Sequence, residues 1–328
     1  MVEIIVFIFS ALLTLLMRHF ALKKKLLDIP NERSSHTVPT PRGGGLAIVI
    51  SFYGALLYFY MINSIDPALF YALLAALPIV IVSLIDDVVS LSAKTRLAVQ
   101  FVSTCLALFA LKEHLVLDFY FFRVEGYLLA PLFLLAIIWL TNLYNFLDGI
   151  DGYAASQAIF VSLGAYLFFN SEILLVLAAT VLGFLIFNWQ KASIFMGDVG
   201  SAFLGFVFAV FTIYFSNESG SMWIWLVLLG VFWFDATLTI YRRFKNKEQL
   251  SKPHKKHAYQ RIVQAGFSHQ KTVVLAMSIN LIGLLLILIT YNTIFIPLVS
   301  VLYIVLLYFI VLYIDRKKAF DTKVLNAH

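Results

Sequence analysis

The chain has 328 residues, of which 62% are hydrophobic and 13% are charged, and its formal net charge is +6. Soluble domains carry about 25% charged residues, so this composition excludes a water-soluble globular protein and predicts one whose main solvent is the bilayer. The single cysteine, Cys105, excludes an intrachain disulfide and a zinc site built on cysteine spacing.

Apolar runs of membrane-spanning length recur along the whole chain, and short polar loops separate them. A span needs about 20 apolar residues, so the chain has room for about ten or eleven spans and for no separate soluble domain. We predict an all-α polytopic bundle that forms one domain over residues 1–328. The predicted spans are 2–20, 44–62, 68–85, 97–112, 127–147, 154–169, 172–188, 202–216, 221–241, 272–290 and 293–314.

Lysine and arginine fall almost entirely in alternate loops, which predicts the orientation. The loops on one side hold 21 of the 24 Lys and Arg residues. Cytoplasmic loops carry such an excess, so this side is predicted to be cytoplasmic, with the N-terminus outside and the C-terminus inside. The positive-inside pattern accounts for the net positive charge, so no nucleic-acid partner is predicted. The loops of the basic side are 21–43, 86–96, 148–153, 189–201, 242–271 and 315–328.

The first two polar motifs precede spans 2 and 4. The loop NERSSHTVPTPRGGG makes a stiff and then permissive turn, and its His36 and Arg42 are available for phosphate or base contacts, although a plain loop is the stronger interpretation. In LIDDVVSLSAKTRL, the adjacent carboxylates of Asp86 and Asp87 repel each other unless they share a cation or a proton. Lys94 follows in the same loop, and a solvated loop of mixed charge is the alternative interpretation.

The motif TNLYNFLDGIDGYAAS places Asn142, Asn145, Asp148 and Asp151 at every third position. Residues three apart lie on neighbouring parts of one helix face, so this row is predicted to emerge at the end of span 5. Amide and carboxylate oxygens are hard ligands that suit Mg²⁺ better than zinc. A capped helix end explains one glycine and one asparagine, but not four polar residues in register.

The last two motifs supply a glycine-rich turn and a basic loop. In IFMGDVGSAFLGF, a Gly-rich turn opens span 8 and is predicted to present free N–H groups to a phosphate, with Asp198 beside it to hold a shared metal. The loop 242–271, RRFKNKEQLSKPHKKHAYQRIVQAGFSHQK, carries nine Lys and Arg residues and His254, His257 and His269. A cationic cradle for a diphosphate fits this loop better than a zinc site, and a positive-inside loop is the alternative.

With these motifs in order, the sequence resembles the polyprenyl-phosphate N-acetylhexosamine-1-phosphate transferases, which are related to phospho-N-acetylmuramoyl-pentapeptide transferase. The matching stretches are PTPRGGGLAI, LIDDVVSLSAKTRL, NLYNFLDGIDGYA, FMGDVGS and PHKKHAYQRIVQAGFSH. The resemblance implies that undecaprenyl phosphate attacks the β-phosphorus of a UDP-N-acetylhexosamine and that UMP leaves. It also implies an active site on the cytoplasmic face of the inner membrane, where a lipid-linked sugar begins O-antigen or another envelope polysaccharide.

The resemblance also implies roles for individual residues. Asp86 would be the base or orienter for the attacking phosphate, with Asp87 near the metal, although the base stays open between aspartates. Asn145 and Asp198 would bind Mg²⁺, which Mn²⁺ could replace, and through it the diphosphate.

Other residues would bind the donor. Gly149, Asp151 and Phe195 would form the uridine pocket, with Phe195 stacking on uracil, and His254 and His257 would hold the sugar-phosphate part. The remaining predicted substrate contacts are His36, Arg42, Lys94, Asp148 and Arg261.

Three questions stay open at this point. The segment from His257 to Arg261 departs from the HLHHRL pattern typical of N-acetylglucosamine enzymes and looks more like the subgroup that uses a 6-deoxy-N-acetylhexosamine. A homodimer is neither required nor excluded. A membrane transporter with carboxylates at its cytoplasmic end is the main alternative function. Asp235 is the ionisable residue nearest to mid-membrane, where a transporter needs such groups. An intramembrane aspartyl protease and a CDP-lipid phosphatidyltransferase fit the motifs less well.

Overall fold

The computed structural model describes residues 1–30, 38–89, 91–250 and 252–320. Over these ranges the chain is mainly helical, and its strands form two short antiparallel pairs. The pairs are β1 (Leu27–Asp28) with β2 (Thr40–Pro41) and β3 (Val116–Asp118) with β4 (Arg123–Glu125). The helices are α1 (Val2–Lys24), α2 (Gly45–Met61), α3 (Pro67–Leu74), α4 (Leu77–Val89), α5 (Ala93–Ala110), α6 (Ala130–Leu147), α7 (Tyr153–Phe169), α8 (Glu172–Asn188), α9 (Gly197–Tyr214), α10 (Ser221–Leu228), α11 (Gly230–Lys245), α12 (Ala258–Gln264), α13 (His269–Thr290) and α14 (Ile296–Lys317).

Each of the eleven predicted spans overlaps one helix or two consecutive helices. Within the described ranges, six segments are long and apolar enough by themselves to cross a membrane, and α10 with α11, bent by 74°, would make a seventh. The apolar helices α2, α7 and α8 have 17 residues each. They are about 26 Å long at 1.5 Å per residue, slightly less than a hydrocarbon core of about 30 Å. The structure therefore confirms an all-α, multi-pass membrane protein, while length and apolarity alone assign six or seven of the eleven spans.

The helix ends define two faces of the bundle, and one of them gathers the carboxylates. We call it the acidic end. α4 and α6 finish there and α9 begins there, so Asp87, Asp148 and Asp198 line one cavity. The Gly44 N–H donates to the Phe195 carbonyl oxygen (2.9 Å) across this end. Loops that the charge pattern assigns to one side therefore meet in the structure.

Helix α9 is the central helix of the bundle, and it packs against α2, α4 and α6. Gly200 in its first turn lies against Gly45 of α2, and a Cβ at position 200 would lie 2.7 Å from the Gly45 Cα atom. This close approach lets α2 and α9 begin side by side at the acidic end. Glycine at the α2–α9 contact therefore positions Asp198, which lies two residues before Gly200.

Gly200→Val is expected to lower the thermal unfolding temperature of the detergent-solubilised protein. The added side chain would meet backbone, and overpacking of this kind costs about 1–3 kcal/mol. Gly54→Ala is the matched control, because nothing lies within 4 Å of a Cβ built at this α2 position. Equal unfolding temperatures for the two variants would contradict the packing argument.

A chain of polar side chains in the bundle interior lies at the bend between α10 and α11. Gln157 Nε2 donates to the Leu228 carbonyl oxygen (3.0 Å), at the residue where α10 ends. Asn280 Nδ2 donates to Gln157 Oε1 (2.5 Å), and the Tyr303 hydroxyl donates to Asn280 Oδ1 (3.4 Å). Backbone polar groups must find partners inside a membrane protein. These bonds therefore satisfy a carbonyl at the bend and help to fix the direction of α11, which carries Asp235.

Candidate active site

A cavity of about 310 Å³ opens at the acidic end, where α4, α6, α8, α9 and α13 meet the loops between them. More than half of its lining residues are charged or carry an amide. Such a polar cavity at the ends of membrane helices is accessible to a polar ligand while remaining next to lipid. The lining residues are Asp28, Arg42, Asp87, Asn145, Asp148, Gly149, Ile150, Asp151, Asn188, Phe195, Met196, Gly197, Asp198, Ser201, Gln260 and His269.

The adjacent carboxylates at the end of α4 have different surroundings. Asp87 lines the cavity, and Arg42 pairs with it, with Nη1 lying 3.8 Å from Asp87 Oδ1. Asp86 lies outside the lining: it accepts the Leu91 N–H on one oxygen and Arg96 Nη1 (3.0 Å) on the other. Of the pair, Asp87 is therefore the carboxylate that can reach a ligand, while Asp86 holds the start of α5.

Arg96 connects that region to the first turn of α9. Its Nη1 lies 3.0 Å from Asp86 Oδ2 and 3.4 Å from Asp198 Oδ2. The predicted loop cation Lys94 is exposed and does not line the cavity. The cation that reaches the carboxylates from this loop is thus Arg96, two residues after the predicted one.

The polar row at the end of α6 divides between packing and the cavity. Asn142 pairs with Gln100 of α5, donating from Nδ2 to Oε1 (2.7 Å), and stays out of the cavity. Asn145 lines the cavity and donates from Nδ2 to Ser201 Oγ (3.0 Å), so its side-chain oxygen Oδ1 remains available for a ligand. Asp148 and Asp151 follow beyond the helix end and also line the cavity.

Backbone hydrogen bonds between the segment before α2 and the segment before α9 fix the positions of Phe195 and Asp198. The Phe195 N–H donates to the Pro41 carbonyl (2.7 Å), and the Gly45 N–H donates to the Met196 carbonyl (2.8 Å). Gly197 has φ +75°, a left-handed conformation that strains any other residue, and a Cβ there would lie 3.4 Å from Asp87 Oδ2. This glycine therefore lets the chain turn into α9 with Asp198 beside Asp87.

Gly149 accommodates a protein side chain as well as lining the cavity. The Tyr259 hydroxyl occupies the position that a Cβ at residue 149 would take, and it donates to the Phe146 carbonyl oxygen (3.1 Å). The sequence predicted this glycine for close approach of a ligand. In the structure the closest approach is by α12.

In the basic loop, three residues predicted to contact the substrate do not line the cavity. His257 is buried and lies 3.5 Å from Asp235, outside the cavity. Arg261 is 2% exposed and donates to Asp315, to the Lys318 carbonyl (2.9 Å) and to the Lys256 carbonyl (3.1 Å). Its guanidinium therefore ties α12 to the end of α14 and cannot also neutralise a phosphate in the cavity.

His254 also differs from the cation that the sequence predicted. It does not line the cavity, and its ring packs against His257, with 4.9 Å between the centroids. Burial, followed by the nearby charges of His257 and Arg243, lowers the pKa of His254 to about 3. His254 is therefore neutral near pH 7 and contributes no positive charge. Within the lining of the cavity, Gln260 and His269 are the residues that this loop provides.

The charges of the cavity fit a divalent cation. Its lining holds five aspartates, one arginine and one histidine. Burial, followed by the charges of Asp198 and Asp151, raises the pKa of Asp148 to about 7. Such a shift is typical of a buried carboxylate that lies near other carboxylates without enough positive charge. A bound cation would relieve this repulsion.

The donor atoms suit Mg²⁺ in an open site better than a closed metal cage. Across the described ranges, no three His, Cys, Asp or Glu side chains form a group that could hold a metal by themselves. Mg²⁺ commonly uses one or two carboxylates and completes its shell with waters and substrate phosphates. Asp198 and Asn145 both line the cavity, and their side-chain oxygens fit that requirement.

The cavity thus brings together much of what the motifs predicted and adds residues that they did not. His36 lies outside the described residues. Asp28, Asn188, Ser201, Gln260 and His269 were not predicted as site residues, because single polar residues in loops or helix starts carry no spacing signal. The predicted residues that line the cavity are Arg42, Asp87, Asn145, Asp148, Gly149, Asp151, Phe195 and Asp198. Those that do not are Asp86, Lys94, His254, His257 and Arg261.

Comparison with known proteins gives consistent similarities over most of the chain. The sequence profile described as "Glycosyl transferase family 4" matches residues 69–216. A "Probable undecaprenyl-phosphate N-acetylglucosaminyl 1-phosphate transferase" of Bacillus subtilis (strain 168) is 33% identical over 304 residues, covering 86% of this chain and 83% of that protein.

More distant relatives carry related names. An "Undecaprenyl-phosphate alpha-N-acetylglucosaminyl 1-phosphate transferase" of Salmonella typhi is 27% identical, covering 82% of this chain and 78% of the relative. A "Decaprenyl-phosphate N-acetylglucosaminephosphotransferase" of Mycobacterium tuberculosis (strain ATCC 25618 / H37Rv) is 29% identical, covering 75% and 71%. Each of these matches covers 75% or more of the chain, so the similarity extends well beyond residues 69–216.

Proposed function

Because this chain belongs to glycosyl transferase family 4, the polyprenyl-phosphate N-acetylhexosamine-1-phosphate transferases, we propose that it transfers N-acetylhexosamine-1-phosphate from a UDP-sugar to undecaprenyl phosphate. The proposed site is at the cytoplasmic face of the inner membrane, and the product begins O-antigen or another envelope polysaccharide. The observation that carries the proposal is the acidic cavity itself, since Asp87, Asn145, Asp148 and Asp198 converge from three helix ends.

In the proposed reaction one P–O bond forms and one breaks. An oxygen of the lipid phosphate attacks the β-phosphorus of the UDP-sugar, and the bond from that phosphorus to the oxygen bridging to the uridine-bearing phosphate breaks. UMP leaves with the electron pair of the broken bond, and the lipid keeps a diphosphate linked to the sugar. Donor and acceptor are both anionic, so the site must reduce their repulsion and hold them in line.

The residues of the cavity divide this work. Asp198 and Asn145 would hold Mg²⁺, or Mn²⁺ in its place, and when bound the ion supplies positive charge to the diphosphate. Arg42, which lines the cavity, adds the positive charge of its guanidinium. Asp87, paired with Arg42 and facing the cavity, is better placed than Asp86 to orient the attacking phosphate or take its proton.

The uridine end of the donor would lie at the other side of the cavity. Phe195, Gly149 and Asp151 all line it, so the ring of Phe195 can stack on a base while Asp151 accepts a hydrogen bond from it. The cavity does not determine the donor sugar. From α12 only the uncharged Gln260 lines it among the described residues, and a single amide does not select one N-acetylhexosamine.

Transfer from labelled UDP-sugars to undecaprenyl phosphate tests the proposal. Purified protein in detergent is incubated with UDP-N-acetylglucosamine, UDP-N-acetylgalactosamine or a UDP-6-deoxy-N-acetylhexosamine. We expect one of these to give labelled lipid and UMP in equal amounts, activity to stop with EDTA, and Mg²⁺ or Mn²⁺ to restore it. Failure of all three donors overturns the proposal. Uptake of a solute into vesicles without any such chemistry would favour a transporter instead.

The pKa of Asp148 predicts that cation binding depends on pH. Asp148 is half protonated near pH 7, and a cation beside it favours its ionised form, so binding displaces a proton. The affinity for Mn²⁺, followed by titration calorimetry, is expected to weaken below pH 7 by up to about tenfold per pH unit. Asp148→Asn has no such proton to displace and is expected to flatten the profile between pH 6 and 8. An equally steep profile in this variant would assign the proton elsewhere.

A further inference from the structure

Resting on the proposed function, we infer that His269 is a positioning residue that holds the Asp151 carboxylate toward the nucleobase and thereby favours uracil over cytosine donors. His269 is the first residue of α13, and its ring Nδ1 lies 3.3 Å from Asp151 Oδ2. The two side chains are 13% and 11% exposed, and both line the cavity. The contact joins residues that are 118 positions apart in the chain.

Asp151 Oδ2 is held from a second direction as well. The Ala192 N–H, in the loop between α8 and α9, donates to the same oxygen (3.3 Å). That loop is tied to the start of α13, since the Gln270 N–H donates to Gln190 Oε1 (2.7 Å). The loop after α6, the loop before α9 and the first turn of α13 therefore form one bonded unit around Oδ2.

These contacts leave Asp151 Oδ1 as the oxygen for a ligand. Among the described residues, no hydrogen-bond partner is recorded for this atom. His269 Nδ1 can donate to the carboxylate or accept from the Asp151 N–H at 3.4 Å. Donation to a carboxylate is the stronger bond because the acceptor is charged. In that arrangement the ring fixes the rotation of the carboxylate, and Oδ1 can point into the cavity.

A carboxylate fixed in this way can distinguish two pyrimidine bases. Uracil carries a hydrogen on N3 and can donate to Oδ1, whereas N3 of cytosine carries a lone pair that the carboxylate repels. If the carboxylate could rotate, it could turn to meet the exocyclic amine of cytosine instead. A site that hydrogen-bonds one substrate rejects an analogue that leaves its buried group unpaired. Restricting the rotation of Asp151 thus favours uracil.

The test compares donor kinetics for UDP-sugars and CDP-sugars in wild-type protein and three His269 variants. His269→Ala is expected to raise the KM for the UDP-sugar about tenfold, to change kcat little and to reduce the preference for UDP over CDP. His269→Asn is expected to restore much of both, because its amide nitrogen occupies the position of Nδ1. His269→Gln, whose nitrogen occupies the position of Nε2, is expected to resemble His269→Ala. His19→Ala is the matched control, because His19 is an exposed histidine of α1.

The outcomes separate this inference from the proposed function. If wild-type protein uses no UDP-sugar, the proposed function fails. If wild-type protein is active and His269→Ala behaves as His19→Ala does, only the inference fails. Rescue by glutamine but not by asparagine would overturn the positioning role, because it would show that Nε2 touches the donor directly. In an Asp151→Ala background, His269→Ala is expected to add little further loss, and a full additional loss would overturn action through Asp151.

Discussion

Asp198→Asn is expected to abolish transfer while leaving the protein folded. Asp198 lies in the first turn of α9, lines the cavity and is 39% exposed at its side chain, so the amide can replace the carboxylate without a buried cost. The substitution removes the charge that would bind the cation. Loss of one such electrostatic contact commonly costs about 10²- to 10³-fold in turnover, and loss of the cation itself costs more. The measurement is labelled lipid formed at saturating donor and Mg²⁺.

Two further variants make this result specific. Asn145→Ala, which removes the second proposed ligand, is expected to cause a similar loss. Glu113→Gln removes one exposed carboxylate from the opposite end of the bundle and is expected to keep wild-type activity. Near-normal activity of Asp198→Asn, together with an unchanged unfolding temperature, would show that the cation is held elsewhere.

The sequence predicted the acidic end of the bundle well because its motifs lie at helix ends. An apolar run ends at Asp87, and Asn145 and Asp148 mark the end of α6. The end of an apolar run fixes the position of these side chains along the bundle. Charge in the loops then puts these ends on one side of the membrane. Span parity and loop charge place Asp87, Asp148 and Asp198 at one end of the bundle, and in the structure all three line one cavity.

The same approach failed for the long basic loop, because contacts with distant parts of the chain position its short helix α12. Nothing in its sequence indicates that Arg261 turns away from the cavity toward Asp315 and the Lys318 carbonyl, at the end of α14. Nor does it show that α12 brings Tyr259 against Gly149. These contacts depend on how one loop packs on distant helices, and residue spacing does not encode that.

Polar residues without a pattern were missed for a related reason. Asp28 is an isolated acid in a loop, and His269 looks like one more basic residue at the edge of a basic segment. Both line the cavity because the β1–β2 pair and the first turn of α13 bring them there. Only the three-dimensional contacts distinguish such residues from ordinary interfacial ones.

Asp235, the ionisable residue that the sequence placed nearest to mid-membrane, stabilises the acidic end of the bundle by binding the start of α12. Its carboxylate is 5% exposed and accepts the Ala258 N–H (2.8 Å) and the Tyr259 N–H (3.2 Å), which are the first two of α12. It also accepts the Thr239 hydroxyl (3.1 Å) and lies 3.5 Å from His257 Nδ1. Asp235 thus caps α12 from another helix, and the bonds that stabilise the α10–α11 bend help to keep it there.

Asp235→Ala is therefore expected to release α12 and to lower transfer activity by about 100-fold or more. Each buried N–H left without an acceptor costs about 1–3 kcal/mol, enough to displace a helix of seven residues. Gln260 would then leave the cavity, and Tyr259 would leave its place against Gly149. Trypsin is expected to cut the segment 252–261 much faster in this variant, while the helical content of the bundle is unchanged.

A graded series identifies the cap as the cause. Thr239→Val removes a single donor to Asp235 and leaves both α12 bonds, so it is expected to change activity and cleavage only slightly. Asp235→Asn keeps one oxygen that accepts a backbone N–H of α12, but its amide NH₂ group faces the other backbone N–H. An intermediate effect is therefore expected on both activity and cleavage. If Asp235→Ala lost activity with no change in cleavage, the carboxylate would have to act in the chemistry or in solute passage. A parallel rise of cleavage and loss of activity across the series can arise only if the cap holds α12 in the position that completes the cavity.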